Sequence, residues 1–275
     1  MKQDSLPSVS LIIATYNWPE ALELCLLSAM RQVHPPTEIV IADDGSKEAT
    51  KNLLLAYAEK SSVPIRHIWQ PDEGFRLATI RNKAIAGVTG DYIIQIDGDL
   101  VLHPCFIKDH LRAARAGHFI GGSRVILDRK LTQKILEHRQ LQVSLLQKGV
   151  RNRLNGLRSP AISRMIGSLV KEKGLYNIRG CNISFWKKDF IAINGYNEWI
   201  SGWGREDTEM IIRLYNKGFK RVYFKLQGVV YHLYHQENDR SNLAKNDEIL
   251  NAALTKRLDW CEKGINQYLS QEDKA

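Results

Sequence analysis

Residues 91–99 read DYIIQIDGD, an apolar run that ends directly in two aspartates separated by a glycine. Two earlier stretches have the same form, SVSLIIATYN at 8–17 and EIVIADDGS at 38–46. A short apolar run followed by polar residues is typical of a buried strand that opens into a loop. These three stretches decide the fold prediction, because helical patterns separate them along the chain.

The intervening segments have helical periodicity. Pro19 stands where a first helix begins, and its apolar face comprises Leu22, Cys25, Leu26, Ala29 and Met30. Two more helices are predicted over 47–60, with Ser46 as the N-cap, and over 77–87, with a strand over 64–69 between them. This alternation predicts an α/β fold, with a mostly parallel central sheet and helices on both faces.

Ligands of such sheets bind beyond the carboxyl ends of the strands. We therefore expect Thr15–Asn17, Asp43–Asp44 and Asp97–Asp99 to converge in space. Later in the chain, a strand is predicted near 178–186, a helix near 206–217, strands near 221–225 and 229–234, and a polar helix over 240–270. The predicted segments of one domain are 1–128, 129–173 as a basic helical insertion, 174–239, and 240–275 as a helical tail.

Composition limits the class of protein. The 275 residues are 44% hydrophobic and 25% charged, which suits a globular domain rather than a disordered chain. No apolar run reaches the roughly 18 residues of a spanning helix, and the start has too few apolar residues for a signal peptide. The four cysteines are far apart, which predicts free thiols in a reducing cytosol.

The net charge of +9 lies in one segment. Residues 129–173 contain eleven Lys and Arg but two acids, so the rest of the chain is neutral. The segment predicts two helical pieces, broken near 152–156 and at Pro160. Their apolar faces are Leu131, Ile135, Leu141, Leu145 and Leu146, then Ile162, Met165, Ile166 and Leu169. Either these helices lie on an anionic membrane, or they form a hairpin that packs on the core.

Several motifs carry candidate chemistry. Asp97 and Asp99 suit Mg²⁺ or Mn²⁺ with a diphosphate, and Gly98 allows close approach, although Asp-Gly is also common in turns. His232 and His235 end a late strand and could complete the metal site, or they are partly buried structural histidines.

The stretch Trp203-Gly204-Arg205-Glu206-Asp207 is a second candidate site. The helix dipole stabilises acids at a helix start, and this alone would explain Glu206 and Asp207 without a function. An aromatic, glycine-rich loop beside a carboxylate also suits sugar stacking and general-base catalysis.

Two classes of function can be compared with sequence signatures of their own. The phosphate motifs GxxxxGK[ST] and GxGxxG are absent from the sequence. A nucleotidyltransferase that makes a UDP-sugar would need a glycine-rich basic loop after the first strand, and TYNWPEA offers neither feature. A nucleic-acid-binding protein would interleave aromatics with its basic residues, whereas 129–173 lacks Phe, Tyr and Trp. Non-specific backbone binding stays open.

As a set, SLIIATYNWPEAL, IVIADDGS, DEGFRLATIRNKAI and GDYIIQIDGD resemble the inverting glycosyltransferases of family 2, which have the GT-A fold. The block IRGCNISFWKKDFIAINGYNEWISGWGREDTEMIIRLYNKG resembles the acceptor-side segment of bacterial chondroitin-type polymerases and beta-4-galactosyltransferases. The resemblance covers about 7–128 and 174–236, and 129–173 falls outside it. It implies that 1–128 is the half that binds the nucleotide-sugar donor and that 174–239 is the acceptor-binding and catalytic half.

The resemblance implies roles for individual residues. Thr15, Tyr16 and Asn17 would line the nucleotide pocket, and Asp44 would contact the uracil or ribose. Arg76 and Arg81 would approach the diphosphate or position Asp97. The remaining implied roles are donor binding by Asp97, Gly98 and Asp99, metal ligation by Asp99, His235 and His232, general-base catalysis by Asp207, and acceptor or sugar contacts by Trp203, Gly204 and Glu206.

The implied reaction moves a hexose or N-acetylhexosamine of the Gal, GalNAc, GlcNAc or Glc class from a UDP-sugar to a glycan hydroxyl. Mn²⁺ or Mg²⁺ would assist, and inversion would give a β-linkage. The implied setting is bacterial lipopolysaccharide, capsule or O-antigen synthesis.

We expect a cytoplasmic protein, peripheral at the inner face of the membrane through 129–173, near a lipid-linked acceptor. Specific nucleic-acid binding is not expected.

Overall fold

The computed structural model describes residues 6–169, 180–236 and 239–271. Its central sheet has the strand order β10-β6-β9-β4-β1-β2-β3. A smaller sheet has the order β5-β11-β7-β8. The strands are β1 (Val9–Thr15), β2 (Glu38–Asp43), β3 (Ile65–Trp69), β4 (Tyr92–Asp97), β5 (Leu100–Leu102), β6 (His118–Gly121), β7 (Val125–Leu127), β8 (Val150–Arg151), β9 (Asn182–Trp186), β10 (Lys220–Val222) and β11 (Val230–His232).

The central sheet is mostly parallel, as the sequence predicts. Strand β9 alone runs antiparallel to its neighbours β4 and β6, whereas the other four pairings are parallel. The helices are α1 (Pro19–Met30), α2 (Glu48–Ala58), α3 (Leu77–Ala86), α4 (Phe106–Ala113), α5 (Arg129–Glu137), α6 (Pro160–Leu169), α7 (Lys187–Ala192), α8 (Glu206–Asn216) and α9 (Leu243–Thr255), with short 3-10 helices at Arg153–Gly156 and Ile265–Gln267.

Helices cover both faces of the central sheet. On one face, Ile12 of β1 belongs to a buried cluster with Ile85 of α3 and Met210 of α8. On the other face, Leu11 and Ile13 of β1 pack with residues of α1, α2 and α4. Alternate strand residues therefore point to opposite helical layers, so the central strands are apolar on both sides.

The strand register brings the predicted polar stretches together. Thr15 at the end of β1 pairs with Asp43 of β2, and Ala14 pairs with Asp97 of β4. The three parallel strands therefore end at the same level, and the loops that follow them share one edge of the sheet.

Of the four strands of the small sheet, the sequence predicts only β11, as the strand near 229–234. In it, β11 runs antiparallel to β5 and pairs His232 with Leu100. Because Leu100 directly follows Asp99, this pairing brings a residue far along the chain next to the Asp-Gly-Asp stretch. Strands of two or three residues carry little periodicity, which explains why the sheet has no clear sequence pattern.

The basic insertion differs from its prediction. Helix α5 ends at Glu137 instead of continuing through Leu145, because Arg139 adopts a left-handed backbone conformation with φ of 47°. Leu141 and Leu145 follow outside any helix, yet they pack against the same cluster as Leu131. Pro160 starts α6 rather than breaking a helix, since its fixed φ suits a first helical position. Residues 170–173 of the insertion lie outside the described residues.

Three smaller predictions also need correction. The Ser46 side chain does not cap α2; its hydroxyl instead accepts a hydrogen bond from Asn17 N, at 2.9 Å. The C-terminal helix ends at Thr255 rather than near 270, and Arg257 has φ of 50°. Strand β10 ends at Val222 rather than at Lys225. The predicted strand start at Ile178 lies outside the described residues.

The cysteines and the helix lengths bear on the predictions from composition. The four cysteines are free, and three of them are buried. Across residues 6–169, 180–236 and 239–271, every helix is too short or too polar to serve as a membrane span.

Candidate active site

The Asp44 carboxylate anchors the loop that follows β2. Gln70 Nε2 donates to Asp44 Oδ1 at 2.6 Å, and Arg76 N donates to Asp44 Oδ2 at 2.7 Å. Burial raises the pKa of Asp44 in spite of these donors. The Arg76 guanidinium turns toward its own loop, where it pairs with Glu73 at 2.6 Å. The structure therefore places Arg76 beside Asp44 and not beside Asp97.

The loop after β1 forms an exposed rim at the same edge. Tyr16 is 52% exposed, and its hydroxyl donates to Asp72 at 2.9 Å. Asn17 has φ of 46°, and its Oδ1 accepts from Lys47 N at 2.9 Å. The Thr15 carbonyl accepts from Asp44 N at 3.1 Å. These contacts join the rim to the second strand end and leave the Tyr16 ring accessible for stacking on a planar ligand.

Arg81 is the centre of the site. Its guanidinium is 1% exposed and lies 2.9 Å from Asp97 Oδ1, 2.9 Å from Asp207 Oδ1 and 3.9 Å from Glu206 Oε1. One buried cation thus joins three carboxylates from two distant parts of the chain. Burial raises the pKa of Asp97 to about 6, although the attraction of Arg81 opposes this shift.

Gly98 lets the Asp-Gly-Asp turn lie directly on β1. Its N–H donates to the Ala14 carbonyl at 2.7 Å. A Cβ at this position would lie 3.1 Å from that carbonyl oxygen and 3.3 Å from the Thr15 hydroxyl. A larger residue would therefore push Asp97 and Asp99 away from the strand end.

Asp99, His232 and His235 form a cluster with metal-ligand chemistry. Asp99 Oδ2 lies 3.4 Å from His232 Nε2 and 3.2 Å from His235 Nε2. One ligand atom from each residue falls within 4.8 Å of the others. Asp99 Oδ1 is buried and has no hydrogen-bond partner. A carboxylate and two imidazoles with an unsatisfied oxygen fit a divalent cation such as Mn²⁺.

The electrostatics of this cluster favour an ionised carboxylate. The charges of His232, His235 and Arg124 outweigh burial and lower the pKa of Asp99. The hydrogen bond to Asp99 raises the pKa of His235 to about 9, whereas burial lowers the pKa of His232. The ionised carboxylate is the form in which Asp99 binds metal, and a bound cation would displace the proton from His235.

The second cluster lies at the N-terminus of α8. Asp207 Oδ2 accepts from Gly180 N at 2.8 Å, and a Cβ at Gly180 would lie 2.0 Å from that oxygen. Burial, and then repulsion from Asp207, raise the pKa of Glu206 to about 8. Glu206 Oε2 is buried without a partner. Two adjacent carboxyls thus have different surroundings, a common feature of acid–base sites.

The loop before α8 has a defined shape. Gly202 and Gly204 have φ of 73° and 99°, and Arg205 has φ of 82°. The Gly204 carbonyl accepts from Asn246 Nδ2 at 3.0 Å, and the Trp203 ring lies 4.8 Å from the Arg240 guanidinium carbon. Helix α9 therefore supports the loop that holds Trp203 and Gly204 next to the carboxylates.

Sequence reasoning missed several residues of the site. Gly180 and Tyr196 lie inside the quoted acceptor-side block without a role, although the Tyr196 hydroxyl donates to Asp207 at 3.3 Å. Gln95 Nε2 donates to that hydroxyl at 2.8 Å from inside β4. Arg124 lies in a loop with no motif, so only the fold could place it near Asp99.

The sequence matches known families over most of its length. The model for glycosyl transferase family 2 matches residues 10–188, and the model described as the N-terminal domain of galactosyltransferase matches 166–236. Chondroitin synthases of Pasteurella multocida (strain Pm70) and Escherichia coli are 25% and 26% identical over 240 and 262 residues. Those alignments cover 82% and 86% of this chain but 24% and 36% of the synthases. The chain thus spans about a quarter to a third of their length.

Solved structures share the fold at low identity. The mannosyltransferase PcManGT from Pyrobaculum calidifontis, in complex with GDP-Man and Mn²⁺, superposes with a TM-score of 0.59 at 15% identity, over 85% of this chain and 59% of that one. S. aureus TarS 1–349 in complex with UDP gives a TM-score of 0.60 at 16% identity, over 95% and 68%. The resemblance inferred from the motifs is confirmed, and the family match favours glycosyl transfer over nucleotidyl transfer or nucleic-acid binding. The chain belongs to glycosyl transferase family 2 and is a glycosyltransferase with the GT-A fold.

Proposed function

We propose that this enzyme transfers a hexose or N-acetylhexosamine from a UDP-sugar to a hydroxyl of a glycan acceptor. The observation that carries the proposal is the placement of two clusters beside one buried cation. Arg81 pairs with both Asp97 and Asp207, and Asp99, which clusters with His232 and His235, lies two residues after Asp97. UDP in the TarS complex and Mn²⁺ in the PcManGT complex support the same ligands here.

Donor binding is assigned to the strand ends. Thr15, Tyr16 and Asn17 form the exposed rim where the nucleotide would lie, and the buried Asp44 carboxylate faces the same edge. Asp97, Gly98 and Asp99 would contact the diphosphate. A divalent cation held by Asp99, His232 and His235 would neutralise the charge that develops on the leaving diphosphate.

Asp207 is assigned as the general base. Arg81, Gly180 N and the Tyr196 hydroxyl all donate hydrogen bonds to its carboxylate, so its orientation is fixed. Its side chain keeps 18% exposure, which leaves an oxygen accessible to an acceptor hydroxyl. Asp207 accepts the proton of that hydroxyl. The acceptor oxygen attacks the anomeric carbon on the side opposite the departing phosphate, so an α-linked donor gives a β-linked product.

Acceptor contacts are assigned to the loop before α8. Trp203 supplies a ring on which a sugar can stack, and Gly204 leaves space for the sugar next to it. Glu206 carries a proton at neutral pH, as its raised pKa of about 8 indicates. It can therefore donate a hydrogen bond to a sugar oxygen while Asp207 accepts one.

We place the reaction in the synthesis of a bacterial cell-surface polysaccharide, such as lipopolysaccharide, capsule or O-antigen. The relatives named as chondroitin synthases support a polysaccharide product. Galactose and N-acetylgalactosamine are the first donors to try, because residues 166–236 match the galactosyltransferase model. The protein would work in the cytoplasm, at the inner face of the membrane.

Membrane contact is assigned to α6 rather than to the whole insertion. Leu131 and Ile135 of α5 are buried in the core, which leaves that helix no apolar face for a bilayer. On α6, Met165 and Leu169 are 61% and 78% exposed. The insertion that contains this helix is basic overall, so this face suits the surface of an anionic membrane.

The function is tested by UDP release. Each of UDP-Gal, UDP-GalNAc, UDP-GlcNAc, UDP-Glc and UDP-GlcA is mixed with the enzyme, Mn²⁺ and a glycan extract. We expect release with one donor and loss of release on adding a chelator; no release with any donor would contradict the proposal.

Membrane contact is tested by flotation with anionic vesicles. Met165→Gln/Leu169→Gln should float less than the wild type, whereas Leu55→Gln, at an exposed leucine of α2, should float equally. Equal flotation of all three proteins would contradict the assignment to α6.

A further inference from the structure

A large groove lies at the β10–β6 edge of the central sheet, opposite the edge formed by β3. Its floor contains Gly121–Arg124 and Lys220–Tyr223, and its walls are α6 and the end of α4. The volume is about 1290 Å³. A drug-sized ligand occupies a pocket of roughly 300–1,000 Å³, so this groove has room for a larger molecule.

The groove is strongly cationic. Its Lys and Arg residues are Arg112 and Arg115 on one rim, Arg164 on the other rim, and Arg124, Lys220, Arg221 and Lys225 along the floor. Among the residues that the structure describes, no Asp or Glu lines the groove. Arg112, Arg115 and Arg164 also form no ion pair with any described carboxylate. A concave surface with one sign of charge concentrates ligands of the opposite sign.

The positive charge of the groove is not balanced by acids in the way that part of the charge of 129–173 is. Arg139 pairs with Glu23 at 3.1 Å, and Arg158 pairs with Asp109 at 2.7 Å. Part of the insertion's charge is therefore balanced by acids elsewhere in the fold. Arg164 instead adds its charge to residues from α4 and β10, which lie outside the insertion.

The α6 wall is fixed in place. The Arg158 guanidinium makes two hydrogen bonds to Asp109, both of 2.7 Å, just before the helix begins. Within the helix, the Ser163 hydroxyl accepts from Gln227 Nε2 at 2.7 Å in a buried contact. A Cβ at Gly167 would lie 3.3 Å from the Tyr223 side chain, so the helix packs closely on the floor. These contacts hold α6 against the floor of the groove.

The groove leads toward the candidate active site. Arg124 Nη1 lies 3.5 Å from Cys181 Sγ, next to Gly180, whose N–H binds Asp207. The Arg124 carbonyl accepts from Asn155 Nδ2 at 2.9 Å, which fixes the loop at the inner end of the groove. A chain molecule in the groove could therefore extend from the basic rim to the carboxylates of α8.

We propose that the groove binds an anionic stretch of the acceptor glycan, in which carboxylate or phosphate groups pair with Arg112, Arg164 and Arg124. This proposal rests on the proposed function and adds the substrate class. A flat bilayer does not follow a concave surface, and the exposed apolar residues Met165 and Leu169 are not among the lining residues. The anion is therefore assigned to the glycan rather than to a lipid headgroup.

The test uses two matched pairs of probes. A galacturonic acid tetramer is compared with its methyl ester, and phosphorylated mannopentaose with mannopentaose. Calorimetry compares the wild type with Arg112→Gln/Arg164→Gln and with Lys60→Gln/Lys256→Gln, which removes two exposed charges elsewhere. Thermal unfolding confirms that each variant is folded.

We expect at least one anionic probe to bind the wild type more tightly than its neutral partner. Loss of two surface charges near the ligand should weaken that binding about tenfold, and the control should stay within about twofold. The pair that responds identifies carboxylate or phosphate. Equal binding of charged and neutral probes, or of wild type and groove variant, would overturn the proposal. Loss of vesicle binding alone in the groove variant would overturn it in favour of a lipid.

The groove proposal and the proposed function can fail independently of each other. Binding of UDP to the wild type in the presence of Mn²⁺ is measured in the same buffer. If UDP binds and neither anionic probe does, the groove proposal fails alone. If UDP does not bind, the donor assignment fails whatever the glycan probes show.

Discussion

Arg81 Nη1 lies 2.9 Å from Asp207 Oδ1, although 126 positions separate the two residues. Arg81 comes from α3, beside the donor strands, and Asp207 from α8, beside the acceptor loop. The same guanidinium holds Asp97 through Nη2. This buried contact therefore sets the position of the candidate base relative to the Asp-Gly-Asp turn.

Arg81→Gln should destabilise the fold and abolish transfer. It leaves Asp97 and Asp207 without their shared cation, and removal of one partner from a buried ion pair costs about 3–5 kcal/mol. Urea unfolding measures the change. Arg139→Gln is the control, because its pair with Glu23 is 67% exposed on the arginine side and should contribute less than about 1 kcal/mol. Similar losses in both variants would contradict the role given to Arg81.

Gly180→Ala should separate activity from stability. The new Cβ would lie 2.0 Å from Asp207 Oδ2, so the carboxylate must move while the backbone can stay in place. We expect a smaller loss of stability than in Arg81→Gln, because the Asp97–Arg81 pair stays in place, and a transfer rate lower by about a hundredfold, the effect of misplacing a reacting group by 1 Å. Gly87→Ala is the control, because Gly87 also has an ordinary φ and its new Cβ would meet only the end of the Arg66 side chain. Normal transfer by Gly180→Ala would argue against Asp207 as the base.

His110 should make stability depend on pH. Burial between Phe106 and Phe224 lowers its pKa to about 3, while an unfolded histidine has a pKa near 6.5. The unfolded chain therefore binds a proton that the folded chain excludes, and stability falls as the pH drops from about 6.5 toward 3, by about 1.4 kcal/mol per pH unit. Urea unfolding of wild type and His110→Gln across this range isolates the effect. Parallel curves would show that His110 does not titrate as described.

Asp99→Asn should weaken the binding of UDP in the presence of Mn²⁺. The substitution keeps the shape of the side chain and removes the anionic oxygens, one of which is buried without a partner. We expect at least about a tenfold loss of affinity, since even indirect metal partners have effects of that size. Calorimetry with Asp259→Asn, which alters a surface pair with Lys217, is the control. Unchanged metal-dependent binding in Asp99→Asn would exclude it as a ligand.

The sequence predicts the central sheet well, because the information is local. The strands at 8–14, 38–42 and 91–96 are continuous apolar runs, and the parallel register then requires their polar ends to meet. The convergence of Thr15, Asp43 and Asp97 follows from topology without any contact being known.

Elements that depend on distant contacts were harder to predict. The left-handed backbone at Arg139 ends α5, although the apolar spacing continues to Leu145. The contacts of Arg81 with Asp207 and of Gly180 with Asp207 join segments that lie far apart, and no local spacing indicates them. The groove cations are spread over α4, α6 and β10, so the charge count identified the insertion but not the surface.

The central claim is that Asp207 is the base of an inverting, UDP-sugar-dependent transfer. Proton NMR of wild type and Asp207→Asn, each with Mn²⁺, the active UDP-sugar and a glycan extract, tests it most directly. We predict a β-linked product from the wild type and almost none from the variant, with UDP binding preserved in both proteins. An α-linked product, or transfer at the wild-type rate by Asp207→Asn, would contradict the claim.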